Sequence, residues 1–585
     1  MIGKIRRLSY FFTKILHILT DDQKRTYLTS LFFMFINSIL ELCTLGMFIP
    51  FIIVVLSPPL AQHYMLILPI LHFKTSTELI FILAGVILGL FIIKNWVSYK
   101  VYSYYNRYAY AVATEISKKK LQYYYAIGFL EFQKSNSAEL LREVTSVPIE
   151  FAHHILLGSL VIFSEVTILL LFTAGIAFFK FGMFLLLICT VLPFTIVVWS
   201  MSNRFLKETK KTIQQISPLS LHTLADAVSG YQEASLYNKE DFFVNRYYNQ
   251  QSSLNIQLGK LNTANIIPAR LSELFVIAGV ILTLFFYLSI EGGSTTAVVS
   301  ALTIFVTFIY RAIPSITKIM NSLVHMRTYS FTLDLIPSVH QIESLMPVHS
   351  IDAEKNTFQF EKNITLHGIS FSYPEQKTPM LHNAHLSIHK GDFIGISGRS
   401  GLGKTTFIRI LLQQVKQNSG TISLDGKPIG EYSIQQWRKL FSYVSQHPAI
   451  LSDTIEANVA FGVLTSEIDR TKVQESLRRA GLGTFVDHLP DGINTIVGEQ
   501  GKTLSGGQKQ RLIIARALYR DAQIFIFDEA TSELDKISEV EVLGSMKLLH
   551  KAGKTLIVIS HQQHVLSSCS KVYSLKHGNL YKIKK

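Results

Sequence analysis

Six apolar segments fill most of the first 330 residues and constrain the fold more than any other feature of the chain. Each reaches the roughly 20 residues that a helix needs to cross a hydrocarbon core of about 30 Å. Their approximate spans are 27–56, 79–101, 151–177, 181–202, 266–290 and 297–318. With 585 residues, 48% of them hydrophobic, the chain exceeds one domain. After about Asn356 the pattern changes to short strands alternating with helices, which is soluble α/β chemistry. The expected architecture is a membrane all-α domain of six transmembrane helices with long cytoplasmic extensions over 1–335, a linker over 336–356 and an α/β domain over 357–585.

Basic residues orient the spans by the positive-inside bias. Lys4, Arg6, Arg7, Lys24 and Arg25 precede the first, Lys118, Lys119 and Lys120 follow the second, and Arg204, Lys207, Lys210 and Lys211 follow the fourth. The opposite loops carry only Lys74 and Lys180, so the N-terminus and the α/β domain are expected on the cytoplasmic side. The first span is too long and too poorly flanked for a cleaved signal peptide. Much of the net charge of +15 sits in these flanks, which removes the case for a nucleic-acid partner and leaves membrane lipid. Cys43, Cys189 and Cys569 are scattered, without disulfide or zinc-site spacing. Two stretches, 102–150 and 203–265, are far longer than a helix connection needs. They predict helices that run on past the membrane, turn and return.

The α/β domain carries a nucleotide site. Residues 392–412, DFIGISGRSGLGKTTFIRILL, read as a strand, a Gly-rich turn and a helix. Gly398, Arg399, Ser400, Gly401, Leu402, Gly403, Lys404 and Thr405 fit the P-loop pattern G-x-x-x-x-G-K-[ST], with Thr406 next. Backbone N–H groups of such a loop cradle phosphates at a helix N-terminus, the lysine adds a point charge, and the Thr405 hydroxyl suits Mg²⁺. Downstream, QIFIFDEA ends a buried strand in two carboxylates. Asp528 suits Mg²⁺, and Glu529 suits a base that orients the attacking water.

At LSGGQKQR, residues 504–511, the sequence resembles the ATP-binding cassette (ABC) family, whose signature this is. The resemblance covers 357–585 and implies an ABC nucleotide-binding domain. It implies that Tyr373 in ISFSYP stacks on adenine, that Gln446 in YVSQHP is the Q-loop residue and an Mg²⁺ ligand, that SELD with Asp535 is the D-loop, and that His561 is the switch histidine. In that family Leu504, Ser505, Gly506, Gly507 and Gln508 close over ATP held by a partner chain. A homodimer with two composite sites follows, using ATP and Mg²⁺, with Gln446, Glu529 and His561 as catalytic residues. Glu533 and the run HQQHV depart from the usual pattern. Glu499 in VGEQGKTLSGGQ looks like the acidic loop of exporters. FLEFQKSNSAELL (129–141) and ASLYNKEDFF (234–243) are the candidate coupling segments, or ordinary helix corners.

The membrane half also holds ions: Lys94, Arg270 and Arg311 against Glu41, Glu165 and Glu273. Taking a 1.5 Å rise, Arg311 lies about 21 Å and Lys94 about 22 Å below the outer face, and Arg270 about 9 Å above the inner one. One reading is a shared cationic level for an anionic cargo. The other is snorkelling of Lys94 and Arg311 with a local Arg270–Glu273 pair. IPARLSELF, FIYRAIPSITKIMNSLVHMRTYSFTLDLI and FQKSNSAELLREV look like the bacterial lipid-linked oligosaccharide flippases of the ABC class, which hold the diphosphate of a polyprenyl-linked glycan with cavity bases. This resemblance implies a bacterial inner-membrane flippase of polyprenyl-diphosphate-linked oligosaccharide, with Lys94, Arg270 and Arg311 at the cargo. Multidrug, peptide or lipid A export, and a nucleotide-gated channel or regulatory ATPase, remain alternatives.

Overall fold

The computed structural model describes residues 11–47, 51–52, 55, 76–179, 181–182, 184–185, 193, 212–291, 295–337, 359–374, 376, 378–399, 401–446, 448–531 and 536–583. The chain divides into two units, Met1–Ile127 with Glu131–Pro347, and Gly128–Leu130 with Val348–Lys585.

The first unit is helical. Helix α1, Asp21–Gly46, begins at a capping box: the Gln23 backbone N–H donates to the Thr20 hydroxyl, and the Thr20 N–H donates to the Gln23 side chain. Asp21 and Asp22 in its first turn suit the helix dipole. Helix α2, Ser76–Ala126, is 51 residues long, about 77 Å at the α-helical rise and well over twice a bilayer core. After the short helix Phe129–Lys134 the chain returns through α3, Ser137–Glu150, capped by Asn136. Pro148 lacks an N–H within α3, and the helix widens into a π-turn, Phe151–Leu156, before continuing as α4, Leu157–Phe179. The second excursion is similar: a helix over 212–229, the short helix Tyr231–Leu236, then α5, Glu240–Glu291, of 52 residues. Helix α6 is Thr295–Thr328. The first expected excursion is therefore a helix continuation with a turn, and the second returns through one, α5; its start, 203–211, lies outside the described residues.

Helix α4 packs against α1 and α6, and α1 also against α2. Close approach of α4 to α6 depends on Gly158, where an added Cβ would sit 3.1 Å from Met326 Cγ. The core here joins Tyr27, Met34, Val112, Phe151, Ile155, Leu160 and Met326. Among the described residues, Asp21–Gly46, Ile80–Ala126 and Ser137–Phe178 are long and apolar enough to cross a membrane. The expected fourth span, 181–202, lies largely outside the described residues.

The second unit is built on two sheets. One is antiparallel, in the order β2-β1-β4-β5, from Asn363–Phe371 (β1), Leu381–His389 (β2), Ser419–Leu424 (β4) and Lys427–Pro428 (β5). The other runs β10-β9-β3-β8-β7-β6. Its members are Phe393–Ser397 (β3), Phe441–Val444 (β6), Ile524–Asp528 (β7), Thr555–Ile559 (β8), Lys571–Lys576 (β9) and Asn579–Ile583 (β10). Only the β9–β10 pair is antiparallel in it. Strands β7 and β8 are buried along their whole length, as their apolar runs IFIF and LIVI require, with Asp528 and Thr555 buried at their ends. Phe129 and Leu130 pack at the edge of one of this unit's two apolar cores, and the Arg409 guanidinium lies 4.5 Å from the Phe129 ring centre. Because β3, β8, β7 and β6 are parallel neighbours, their C-terminal ends open onto one edge. The loops that leave this edge carry the chemistry.

Candidate active site

The loop after β3 turns through three glycines with positive φ, Gly398 (152°), Gly401 (82°) and Gly403 (97°), and leads into α7, Lys404–Leu411. A Cβ on Gly403 would lie 2.9 Å from Met380 Cγ, whereas one on Gly401 would meet nothing within 4 Å. The loop is thus pinned at its end and open at its centre, the shape a phosphate chain needs. Lys404 is buried and lies back along the loop, donating to the Gly398 carbonyl at 2.6 Å and the Arg399 carbonyl at 3.3 Å.

Lys404 Nζ also stands 2.9 Å from His561 Nε2 and 3.6 Å from Glu529 Oε1. Glu529 follows β7 at φ 50°, the left-handed region that a non-glycine residue enters only at a cost of about 1–3 kcal/mol. That bend turns its carboxylate to the loop, where Gln446 Nε2 donates at 2.9 Å and His561 Nε2 lies at 2.9 Å. Asp528, the last residue of β7, is buried, with Tyr443 donating to it at 3.0 Å and Thr405 hydrogen-bonded to it. Burial, reinforced by the neighbouring Glu529 charge, raises the Asp528 carboxyl above the usual aspartate range. Burial likewise lowers the Lys404 ammonium, opposed by the Glu529 charge.

The donor set fits ATP with Mg²⁺: an open cradle of N–H groups, a lysine at its base, and a hydroxyl beside a strand-end carboxylate. Lys404, Thr405, Asp528, Glu529, Gln446 and His561 are brought together from four strand ends. Tyr373 bonds Thr406 through its hydroxyl at 3.0 Å and stands edge-on to Phe371. Leu402 and Tyr373 pack on the core beside the loop. Ser400 and Asp535 lie outside the described residues. The signature Leu504–Gln508 opens α8, Gly506–Arg520, and its hydrogen bonds are used internally: the Gln508 N–H donates to Ser505 Oγ and the Ser505 N–H to Gln508 Oε1. Sequence reasoning missed Tyr443, whose only signal is an aromatic three residues before Gln446 on the neighbouring strand.

A second charged group lies among the helices of the first unit. Arg311 is 6% exposed, so it does not snorkel. Its Nη2 donates to Glu165 at 2.8 Å and to Glu41 at 3.2 Å. Ser315 and Lys318 donate to Glu165 at 2.8 and 2.7 Å, and Lys94 lies 3.5 Å from Glu41. Arg270 instead is exposed and pairs with Glu273 on its own helix at 3.2 Å. Helix arithmetic suggested three cations at one level. The structure joins two of them through a shared carboxylate, because a buried cation needs a counter-charge, and leaves the third apart. Lys318 was missed, although Arg311, Ser315 and Lys318 at i, i+4 and i+7 share one helix face.

A family model described as ABC transporter matches residues 381–532. An ATP-dependent lipid A-core flippase of Cupriavidus pinatubonensis is 30% identical over 408 residues, 68% of this chain and 66% of that protein. A protein of the same description from Coxiella burnetii is 30% identical over 428 residues, 71% of this chain and 69% of that protein. The chain therefore spans about two thirds of the length of the relatives it matches. A solved structure of a bacterial Atm1-family ABC exporter with ATP bound shares the fold, with a TM-score of 0.78 at 18% identity over 95% of this chain and 94% of that one.

Proposed function

Because this chain belongs to the ABC transporter family, in which ATP hydrolysis drives transport, we propose that it is a half-transporter of the exporter type that flips a phosphorylated glycolipid from the inner to the outer leaflet of a bacterial inner membrane. Two copies, each with six spans, form the working unit. The signature residues Leu504–Gln508 of one copy complete the nucleotide site of the other, and Asp535 is the D-loop residue. Segments 129–141 and 234–243 carry the motion between ATPase and helices. The ATPase domain and the N-terminus face the cytoplasm.

In this reading Lys404 and the N–H groups of Gly398–Thr405 hold the triphosphate, Tyr373 stacks on the base, and Thr405, Asp528 and Gln446 hold Mg²⁺. The metal supplies charge neutralisation at the phosphates. Glu529, aimed by its strained backbone and held by Gln446 and His561, orients the attacking water. His561 stands within reach of both Glu529 and Lys404, so it can report the phosphate's state to the base.

The observation that carries a phosphorylated cargo is the cationic cluster around Arg311, with Lys94 and, separately, Arg270. Two cargoes share that chemistry. The names of the Cupriavidus and Coxiella relatives favour a lipid A-core molecule. The motifs around Arg270 and Arg311 favour a polyprenyl-diphosphate-linked oligosaccharide. The test is reconstitution in vesicles with each lipid, labelled, and its exposure to an external glycan-modifying enzyme followed with and without ATP. ATP-dependent movement of one lipid, lost in Glu529→Gln, identifies the cargo. Robust ATP hydrolysis with neither lipid moved would overturn the flippase reading and put drug or peptide export, or a regulatory ATPase, ahead.

A further inference from the structure

The two carboxylates of the membrane cluster are held very differently. Glu165 is 3% exposed, and its oxygens take Arg311, Ser315 and Lys318 at 2.8, 2.8 and 2.7 Å, the normal range for charge-assisted bonds. Glu41 meets Arg311 at 3.2 Å and Lys94 at 3.5 Å, and both Glu41 and Lys94 are more open, with side chains 18% and 17% exposed. Glu165 is the tie between α4 and α6. Glu41 is a loose bridge from α1 to α2 and α6.

The cluster is also short of negative charge. Among the described residues, Lys94, Arg311 and the half-exposed Lys318 face Glu41 and Glu165. Arg311 Nε, fully buried, has no hydrogen-bond partner among the described residues. A buried guanidinium with an unmet donor and a surplus cation nearby is matched by a tetrahedral oxyanion, which accepts from a fork of N–H groups and brings more than one charge. Helices α1 and α2 expose Ile36, Ile39, Ile92 and Ile93 close in sequence to the two loose members, a surface suited to acyl or isoprenoid chains.

We propose that Glu41 is the built-in counter-anion that a phosphorylated lipid head group displaces from Arg311 and Lys94. This rests on the cargo reading above and adds what sets its selectivity. A carboxylate already in place must be outcompeted, so only a head group bringing at least two negative charges gains by binding. Neutral and singly charged lipids are excluded by Glu41 itself.

The test is direct binding to the purified full-length protein in detergent. The probes are farnesyl diphosphate for the isoprenoid source and diphosphorylated lipid A for the other, with phosphatidylglycerol, a singly charged phosphodiester, as control. Glu41→Gln should tighten binding of the matching probe by about tenfold and let phosphatidylglycerol bind. Lys94→Gln should weaken it by a similar factor. A wild-type thermal unfolding profile in detergent reports folding of the helices. Should Glu41→Gln fail to fold, Glu41→Asp, whose shorter carboxylate draws back from Lys94, should give a smaller gain in the same direction. Wild-type affinity in the folded variant would overturn the proposal and leave Glu41 as a helix tie. A wild type that binds but flips neither lipid sinks the flippase reading and leaves the site. One that flips while Glu41→Gln binds no tighter does the reverse.

Discussion

The charged cluster at the strand ends of the cassette and the one among the membrane-half helices are unbalanced in opposite senses. In the first, Lys404 faces Asp528 and Glu529. In the second, three cations face two carboxylates. Desolvated charge without a full counter-charge is costly, and such clusters persist where a ligand completes them. The cassette's carboxylates outnumber its lysine and suit a divalent metal, while the N–H groups of the loop take the nucleotide's phosphates. The helical cluster lacks negative charge and suits an anion. What differs is the frame: the cassette holds its charges at the ends of hydrogen-bonded parallel strands, whereas the helical cluster bridges separate helices.

The largest expected effect tests the cassette side. Glu529→Gln keeps the shape and the Gln446 contact but removes the base, so steady-state phosphate release should fall by about 10²–10⁴-fold while nucleotide binding persists. A fall under tenfold would assign water activation elsewhere and end the parallel. Next comes Glu165→Ala in the other cluster, which strips the tight carboxylate from Arg311 and Lys318. Removing one partner of a buried pair costs about 3–5 kcal/mol, read as loss of thermal stability in detergent. A change near zero would mean the helices, and not the ions, hold that cluster together.

These two clusters were unequally legible. Lys404, Asp528 and Glu529 sit at strand ends and a helix start with fixed chemical demands, so local sequence patterns found them, while Gln446 and His561 came from the resemblance to the ABC family. Their convergence needed only that their strands be parallel neighbours. Arg311 and Glu165 are 146 residues apart, and Arg311 and Glu41 are 270 apart. No local pattern encodes that pairing, so rise-per-residue arithmetic assigned a rough depth but missed the rotation that points each side chain inward or outward. That rotation separates Arg311 from Arg270. The excursions Ser76–Ala126 and Glu240–Glu291 were legible for the opposite reason, since a polar run too long for a turn has few other solutions.

A third outcome sharpens the electrostatics of the cassette. Burial raises the Asp528 carboxyl, so the folded protein holds that proton more tightly than the unfolded chain. Such a group adds stability below the unfolded value, about 3.9, and loses it as pH rises through the folded value. At neutral pH the charged form is therefore a liability in the nucleotide-free protein. Asp528→Asn keeps the Tyr443 hydrogen bond and removes that liability, and the cassette's Tm should rise by about 2–4 °C as Mg²⁺-dependent hydrolysis is lost. The gain should vanish on acidification. A lower Tm at neutral pH would show that the carboxylate is already compensated and that the cassette cluster is balanced after all.

The smallest effect is expected at Arg270. Its pair with Glu273 is three residues apart on one helix, with side chains 77% and 46% exposed, and exposed pairs of this kind contribute about 0.2–0.5 kcal/mol. Arg270→Gln should leave the thermal unfolding profile almost unchanged, in contrast to any substitution at Glu165. Its informative readout is lipid movement in vesicles. A stability-neutral variant that flips lipid more slowly would make Arg270 an exposed contact for the head group, reached before or after the buried cluster. Unimpaired flipping would confine anion handling to Arg311 and Lys94, and the imbalance among the helices would then be the sole source of cargo charge selectivity.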